Sequence, residues 1–235
     1  MNSMGFPGQG LEPSVKRLQS SQRYKDRVLV SISGTIEDEI FVCLRRSQDF
    51  VSGIELNISS PNTTGLRIFH EPARLRGLIE GLVSVKKVPL FVKLPPWPRD
   101  DENRRELLKL AATAVDAGVD GLVIANTHPI ESSRLQVGRG GLSGAPLFEH
   151  TELMIADIQA QVQGEVAIIA CGGVSTGEHV WKLLASGASA VQLYTAFIYE
   201  GPGLPARINK RVSKLMSAAG ITNIGDISGE PPSIR

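Results

Sequence analysis

Residues 55–67 read ELNISSPNTTGLR, and Ser60, Pro61, Asn62, Thr63 and Thr64 form a dense run of short polar side chains within it. The residues just before, 53–58, are apolar and extended in character. A strand there ends at 57–59 and delivers the polar run into a turn marked by Ser-Pro and Pro-Asn. Polar groups at the carboxyl end of a strand are where an α/β barrel keeps its chemistry. Pro61 biases Ser60 away from the helical region and so fixes where its hydroxyl points. An ordinary polar turn is the other reading of the same residues.

Two further features could do chemistry. Lys93 lies in LFVKL, an apolar strand over 90–94. A lysine there is costly unless it meets an anion, or unless it snorkels from a strand edge. Glycines follow two neighbouring strands near the carboxyl end or give way there to a small polar residue: 166–170 runs into Cys171-Gly172-Gly173, and 190–194 runs into Thr195-Ala196-Phe197. Glycine between a strand and a helix lets backbone N–H groups approach a phosphate closely. In α/β barrels that phosphate site is frequently built from the loops after strands seven and eight.

The remaining chain must position these groups. Strands are predicted over 28–33, 53–58, 90–94, 121–125, 166–170 and 190–194, each followed by a stretch with helical periodicity. The helices fall at about 13–19, after Thr35 as a cap, and at 73–86, 102–117, 151–163, about 176–186 and 205–219. The loop-like start, MNSMGFPGQG, reads as a frayed terminus. Residues 139–147, RGGLSGAPL, read as a Gly-rich lid-like loop, His128 as a solvated loop residue, and Cys43 as a buried core residue. The tail after 219 looks irregular. Alternating strands and helices imply a parallel α/β sheet of barrel type, with about six strands where a closed barrel has eight.

Composition bounds the function. The chain has 235 residues, 42% of them hydrophobic, and a net charge of +1. That gives no basic footprint for nucleic acid. Two cysteines, Cys43 and Cys171, are too few for a disulfide framework and lack metal-ligand spacing, so no metal is expected. No apolar run reaches the roughly 18 residues needed to span a bilayer. No signal peptide precedes the first strand, and a reducing, cytoplasmic setting is the simple expectation.

NISSPNTTGLR resembles the active-site loop of the dihydroorotate dehydrogenases, flavin enzymes of pyrimidine synthesis. The resemblance runs from Asn2 to about Gly229. It implies a TIM-type (β/α)8 barrel that carries FMN and oxidises (S)-dihydroorotate to orotate. Ser60 falls on the catalytic base, which is Ser in the quinone-linked class and Cys in the soluble class. Thr63 falls on a residue that helps relay the proton, and Lys93 on one that stabilises the reduced, anionic flavin. Asn57 would touch both flavin and substrate; Asn62, Asn126 and Thr127 would bind substrate. MNSMGF is similar to the family's N-R-M-G-F segment, so Asn2 would bind substrate and Met4, Gly5 and Phe6 would line the pocket. Ser3 stands where the family has Arg, Ala125 replaces a flavin-contacting Thr, and Ser31 and Ile32 stand near an expected Asn. Gly144, Gly173, Tyr194 and Thr195 would hold the flavin, the last three at its phosphate. A bulky substitution at Gly173 is expected to abolish flavin retention and leave the fold intact.

Residues 1–235 are expected to form a single partial barrel domain. The resemblance starts in the middle of the family's sequence. The first two strand–helix units, with a loop that carries its own Lys, and the helical pair that admits quinone precede that point in the family. Met1 is therefore expected to be an internal methionine or a misplaced start, with the full-length form membrane-associated. The strand edges left open, VLVSIS and AVQLY, are expected to favour self-association. Quinone is the electron acceptor that Ser60 points to. The alternatives are an inactive barrel fragment and a related FMN barrel acting on another dihydropyrimidine.

Overall fold

The computed structural model describes residues 1–4, 7–59, 65–96 and 100–233. In chain order the elements are α1 (Leu11–Ser20), β1 (Leu29–Ile32), α2 (Glu37–Ser47), β2 (Gly53–Asn57), α3 (Pro72–Val85), β3 (Leu90–Lys93), α4 (Asp101–Asp116) and β4 (Gly121–Ile124). There follow β5 (His128–Glu131), β6 (Arg139–Leu142), α5 (Phe148–Val162), β7 (Ala167–Cys171), α6 (Gly177–Ala185), β8 (Ala190–Gln192), α7 (Thr195–Glu200) and α8 (Leu204–Ala218). Six strands form one sheet in the order β1-β2-β3-β4-β7-β8, and every adjacent pair is parallel. This is the β/α alternation of the eight-stranded barrel with six of its strands, so the sheet is open, with β1 and β8 at its edges.

The sheet curls. β2 and β8 are four strand spacings apart in the order, about 19 Å in a flat sheet. Yet Gln192 Nε2 on β8 donates to Glu55 Oε2 on β2 at 3.1 Å. Residues two apart share a face of a strand, so Glu55 and Asn57 look inward together. Ser31, opposite Glu55 in the register, and Lys93, opposite Asn57, share that inner side. The alternate residues Ile54 and Leu56 on β2, with Val92, Leu122 and Ile168, pack outward against the helices in one cluster with Leu44, Leu78, Leu110 and Ile155. Burying each such side chain stabilises the fold by about 1.5–3 kcal/mol. A second cluster joins α6 to α8 through Trp181, Ile208, Val212 and Leu215.

Local chemistry fixes the helix starts. Asp100 accepts from Asn103 Nδ2 at 2.9 Å and from Asn103 N at 2.9 Å to begin α4, and these bonds hold its carboxyl below the usual range. Thr176 Oγ1 accepts from His179 N at 3.1 Å to begin α6. Thr35 does not cap α2. Ile36 occupies that position with no side-chain bond, and the helix relies on Glu37, Asp38 and Glu39 at its N-terminus and Arg45 and Arg46 at its end. Cys43 is half-buried and packs on the core, and burial pushes its thiol up.

Residues 139–147 correct the expectation of a lid-like loop. Their first half is β6, which pairs antiparallel with β5 from His128↔Leu142 to Glu131↔Arg139. His128 is accordingly buried, not solvated, with its ring 5.0 Å from that of His150. The start of the chain is not frayed either. Asn2 bridges to Gly141, with N–H···O bonds of 2.9 and 2.7 Å in the two directions. A side chain on Gly140 would strike the Asn2 backbone at 2.2 Å, which explains a glycine there. No helix among the described residues is long and apolar enough to cross a membrane.

Candidate functional site

A cavity of about 840 Å³ opens at the carboxyl ends of the strands. That lies within the range of sites for cofactors and small ligands, about 300–1,000 Å³. Two of its lining residues, Asn57 and Asn126, are joined from beneath by a third short side chain, the buried Ser59. Ser59 Oγ donates to Asn57 Oδ1 at 2.7 Å, and Asn126 Nδ2 donates to Ser59 Oγ at 2.7 Å. Ser59 N also donates to Asn57 Oδ1 at 3.0 Å, and Thr127 N donates to Asn126 Oδ1 at 2.7 Å. The ends of β2 and β4 are thereby locked to each other. Ser33 Oγ adds a bond to the Asn57 carbonyl at 2.8 Å, from the end of β1.

Ten residues named from the sequence line this one cavity. Asn57, Lys93, Asn126 and Thr127 form the floor and near wall, and Asn2 and Met4 approach from the N-terminal segment. Gly144, Gly173, Tyr194 and Thr195 complete the far wall. Ser60, Asn62 and Thr63 lie outside the described residues, as do Gly5 and Phe6.

Beside Gly144, the far wall is made by two neighbouring βα loops. Gly172, Gly173, Val174 and Ser175 follow β7, and Tyr194 and Thr195 follow β8. Gly173 has φ +76°, and a Cβ there would sit 2.3 Å from Phe148 N. A bulky residue at Gly173 would therefore collide with the start of α5, so substitution there strains the loop after β7 and displaces the helix start as well as any phosphate site. The loop is held from behind by His179. Its Nδ1 accepts from Ser175 N at 3.3 Å, and its ring stacks on Phe148 with centroids 4.0 Å apart. Burial holds this imidazole below the usual histidine value.

Lys93 is the one basic side chain among the described wall residues. It lies 3.8 Å from Glu55 Oε1 and donates to Cys171 Sγ at 3.6 Å. Burial raises the Cys171 thiol; Lys93 opposes that shift and Glu55 adds to it. The anion that a lysine in an apolar strand requires is thus present in the protein itself.

Two contributors were missed from the sequence. Ser59 is the hub of the floor, but it carries no signal distinct from the polar run it begins. Glu55 did carry one: it is a charge inside an apolar strand, the same signal that singled out Lys93.

A family model described as dihydroorotate dehydrogenase matches residues 1–216. The chain is 34% identical over 247 residues to a dihydroorotate dehydrogenase (quinone) of Brucella anthropi, covering 95% of this chain and 65% of the relative. It is 34% identical over 251 residues to the protein of that name from Agrobacterium fabrum, with 97% and 66% covered. The chain thus spans about two thirds of the length of these curated relatives. A crystal structure of DHODH from Eimeria tenella in complex with ferulenol superposes with a TM-score of 0.82 at 31% identity, over 96% of this chain and 69% of that one. With a family model matched over most of its length and a shared fold, the chain belongs to the dihydroorotate dehydrogenase family.

Proposed function

We propose that this site oxidises (S)-dihydroorotate to orotate with FMN as cofactor and a quinone as final electron acceptor. The observation that carries the reading is the convergence of ten separately placed residues, from Asn2 to Thr195, on one cavity. The residues fit the cofactor chemically. Two βα loops offer backbone and a hydroxyl to a phosphate, and Lys93 offers a cation to an anionic ring. FMN, when bound, supplies the acceptor for the hydride leaving C6 of the substrate.

The chain's own residues do the rest. Asn57 and Asn126 are fixed by Ser59, and Asn126 Oδ1 also accepts from Thr127 N, so the side-chain N–H groups that remain are pre-oriented for a planar ring with carbonyl edges. Asn62, Asn126 and Thr127 hold the ring and its carboxylate. Ser60 takes the proton from C5. A serine hydroxyl is a weak base, so it needs a hydrogen-bonded relay, assigned to Thr63, and exclusion of water. The N-terminal segment, bonded to β6 through Asn2, lies across the cavity wall and serves that exclusion.

The absorbance spectrum of the purified protein tests the cofactor, and flavin bands are expected, at less than one equivalent because the open sheet holds FMN weakly. Ser60→Ala should slow flavin reduction by dihydroorotate by about 10²- to 10⁴-fold, the span for a lost general base. Flavin reduction at the parental rate in that variant would remove Ser60 from its role. A second reading, an inert fragment, draws on the unpaired edges of the sheet. It predicts no flavin bands at all.

A further inference from the structure

Glu55 lies beneath the cavity, not on its wall. Its carboxylate is buried, with 7% of the side chain exposed. Three strands converge on it. Ser31 Oγ from β1 donates to Oε1 at 2.8 Å, Gln192 Nε2 from β8 donates to Oε2 at 3.1 Å, and the Lys93 ammonium from β3 lies 3.8 Å from Oε1. The carboxylate therefore has hydrogen bonds to both oxygens and a counter-ion, the conditions under which a buried charge is tolerated. It also ties the two edge strands of the open sheet to one atom group.

The consequence for the cavity is electrostatic. Lys93 is the one basic side chain on the described wall, and its charge is partly offset from below by Glu55. In a site screened from water that offset acts on whatever the cavity holds. We infer that Glu55 is a positioning residue that works through Lys93: it fixes the ammonium against the cavity floor and tempers its attraction for an anionic occupant. Resting on the FMN reading above, this means that Glu55 lowers the preference of the site for reduced over oxidised flavin. A neutral residue that knitted the same strands would have no such signed effect on the wall.

Cys171 reports on the wall without any flavin. It lines the cavity, donates no charge of its own, and sits beside both Lys93 and Glu55. Alkylation by iodoacetamide, followed peptide by peptide in the mass spectrometer, reads its thiolate fraction. Cys43, on α2, is the internal reference. Glu55→Gln keeps the shape and removes the charge, so Cys171 should react about threefold faster or more, since thiolate fraction sets the rate. Lys93→Met should slow it, and Glu55→Asp, which keeps the charge, should stay near the parent. Equal Cys171 rates in parent and Glu55→Gln, or equal acceleration in Glu55→Gln and Glu55→Asp, would overturn the inference.

The second arm uses FMN. Glu55→Gln should raise the ratio of reduced to oxidised FMN affinity about tenfold, a rise in midpoint potential of about 30 mV for a two-electron couple. Lys93→Met should lower it, and Glu55→Gln should have a smaller effect in the Lys93→Met background, where the direct field of Glu55 remains but its hold on the ammonium is gone. A full Glu55 effect in that background would show that it does not act through Lys93. If the parent binds no FMN, the functional reading fails, and the Cys171 rates alone decide whether Glu55 sets the charge of the wall.

Discussion

β4 reads GLVI and β1 reads LVSI, yet the two strands end in different states. All four residues of β4 are buried, whereas β1 buries only Ile32 and leaves Leu29 44% exposed. β4 is flanked by β3 and β7, and β1 pairs with β2 alone among the described residues. β8, the other edge, buries none of its residues. Burial therefore follows from how many neighbours a strand has, not from its composition. A parallel sheet buries its strands on both faces only where both partners and both layers are present.

The contrast has measurable consequences. The largest expected effect lies in the middle: Leu56→Ala on β2, a fully buried position, should cost about 2–5 kcal/mol in denaturant unfolding. The same truncation at the edge, Leu29→Ala, should stay within about 0.5 kcal/mol. Similar costs at the two sites would mean that β1 is covered in solution, by another copy or another segment.

A smaller effect tests the edge itself. Leu29→Lys places a charge on the open strand, a device that blocks edge-to-edge pairing. Sedimentation should show less association than in the parent, with stability changed by no more than about 0.5 kcal/mol. Unchanged association would acquit the β1 edge and point to β8.

The smallest effect concerns the loop after β7, an ordered region next to that second edge. The folded state holds His179 below its ordinary value because burial disfavours the imidazolium. The unfolded chain then binds the proton more readily, so stability is level above the usual histidine value of about 6.5 and falls as pH drops through the lowered folded value. His179→Gln should flatten that stretch of the pH–stability curve. A parental slope in the variant would assign the dependence to other groups.

Much of the sheet was legible in the sequence for the reason the comparison gives. Parallel strands read as short apolar runs, and all six predicted runs appear as strands within about two residues. The β5–β6 hairpin was not legible. Its sequences, HPIE and RGGL, contain Pro129, Gly140 and Gly141, which argue against strands. They pair because β6 meets both β5 and Asn2, a contact spanning most of the site and invisible to local pattern. His128 was misread with the hairpin, since its burial depends on that pairing and on His150.

The amino-acid sequence by itself determined the strand–helix alternation and the residues that gather at the strand ends, because apolar periodicity and motif spacing are local properties. Only the tertiary structure decided that Ser59 joins Asn57 to Asn126, and that His179 braces the Gly172-Gly173 loop. It also decided that the anion required by Lys93 is Glu55, held by Ser31 and Gln192. Ser31 and Lys93 reach Glu55 from the strands on either side of it, whereas Gln192 lies 137 residues away and meets it because the sheet curls. Curl is the sum of twists over all the strands, and no single stretch of sequence encodes it.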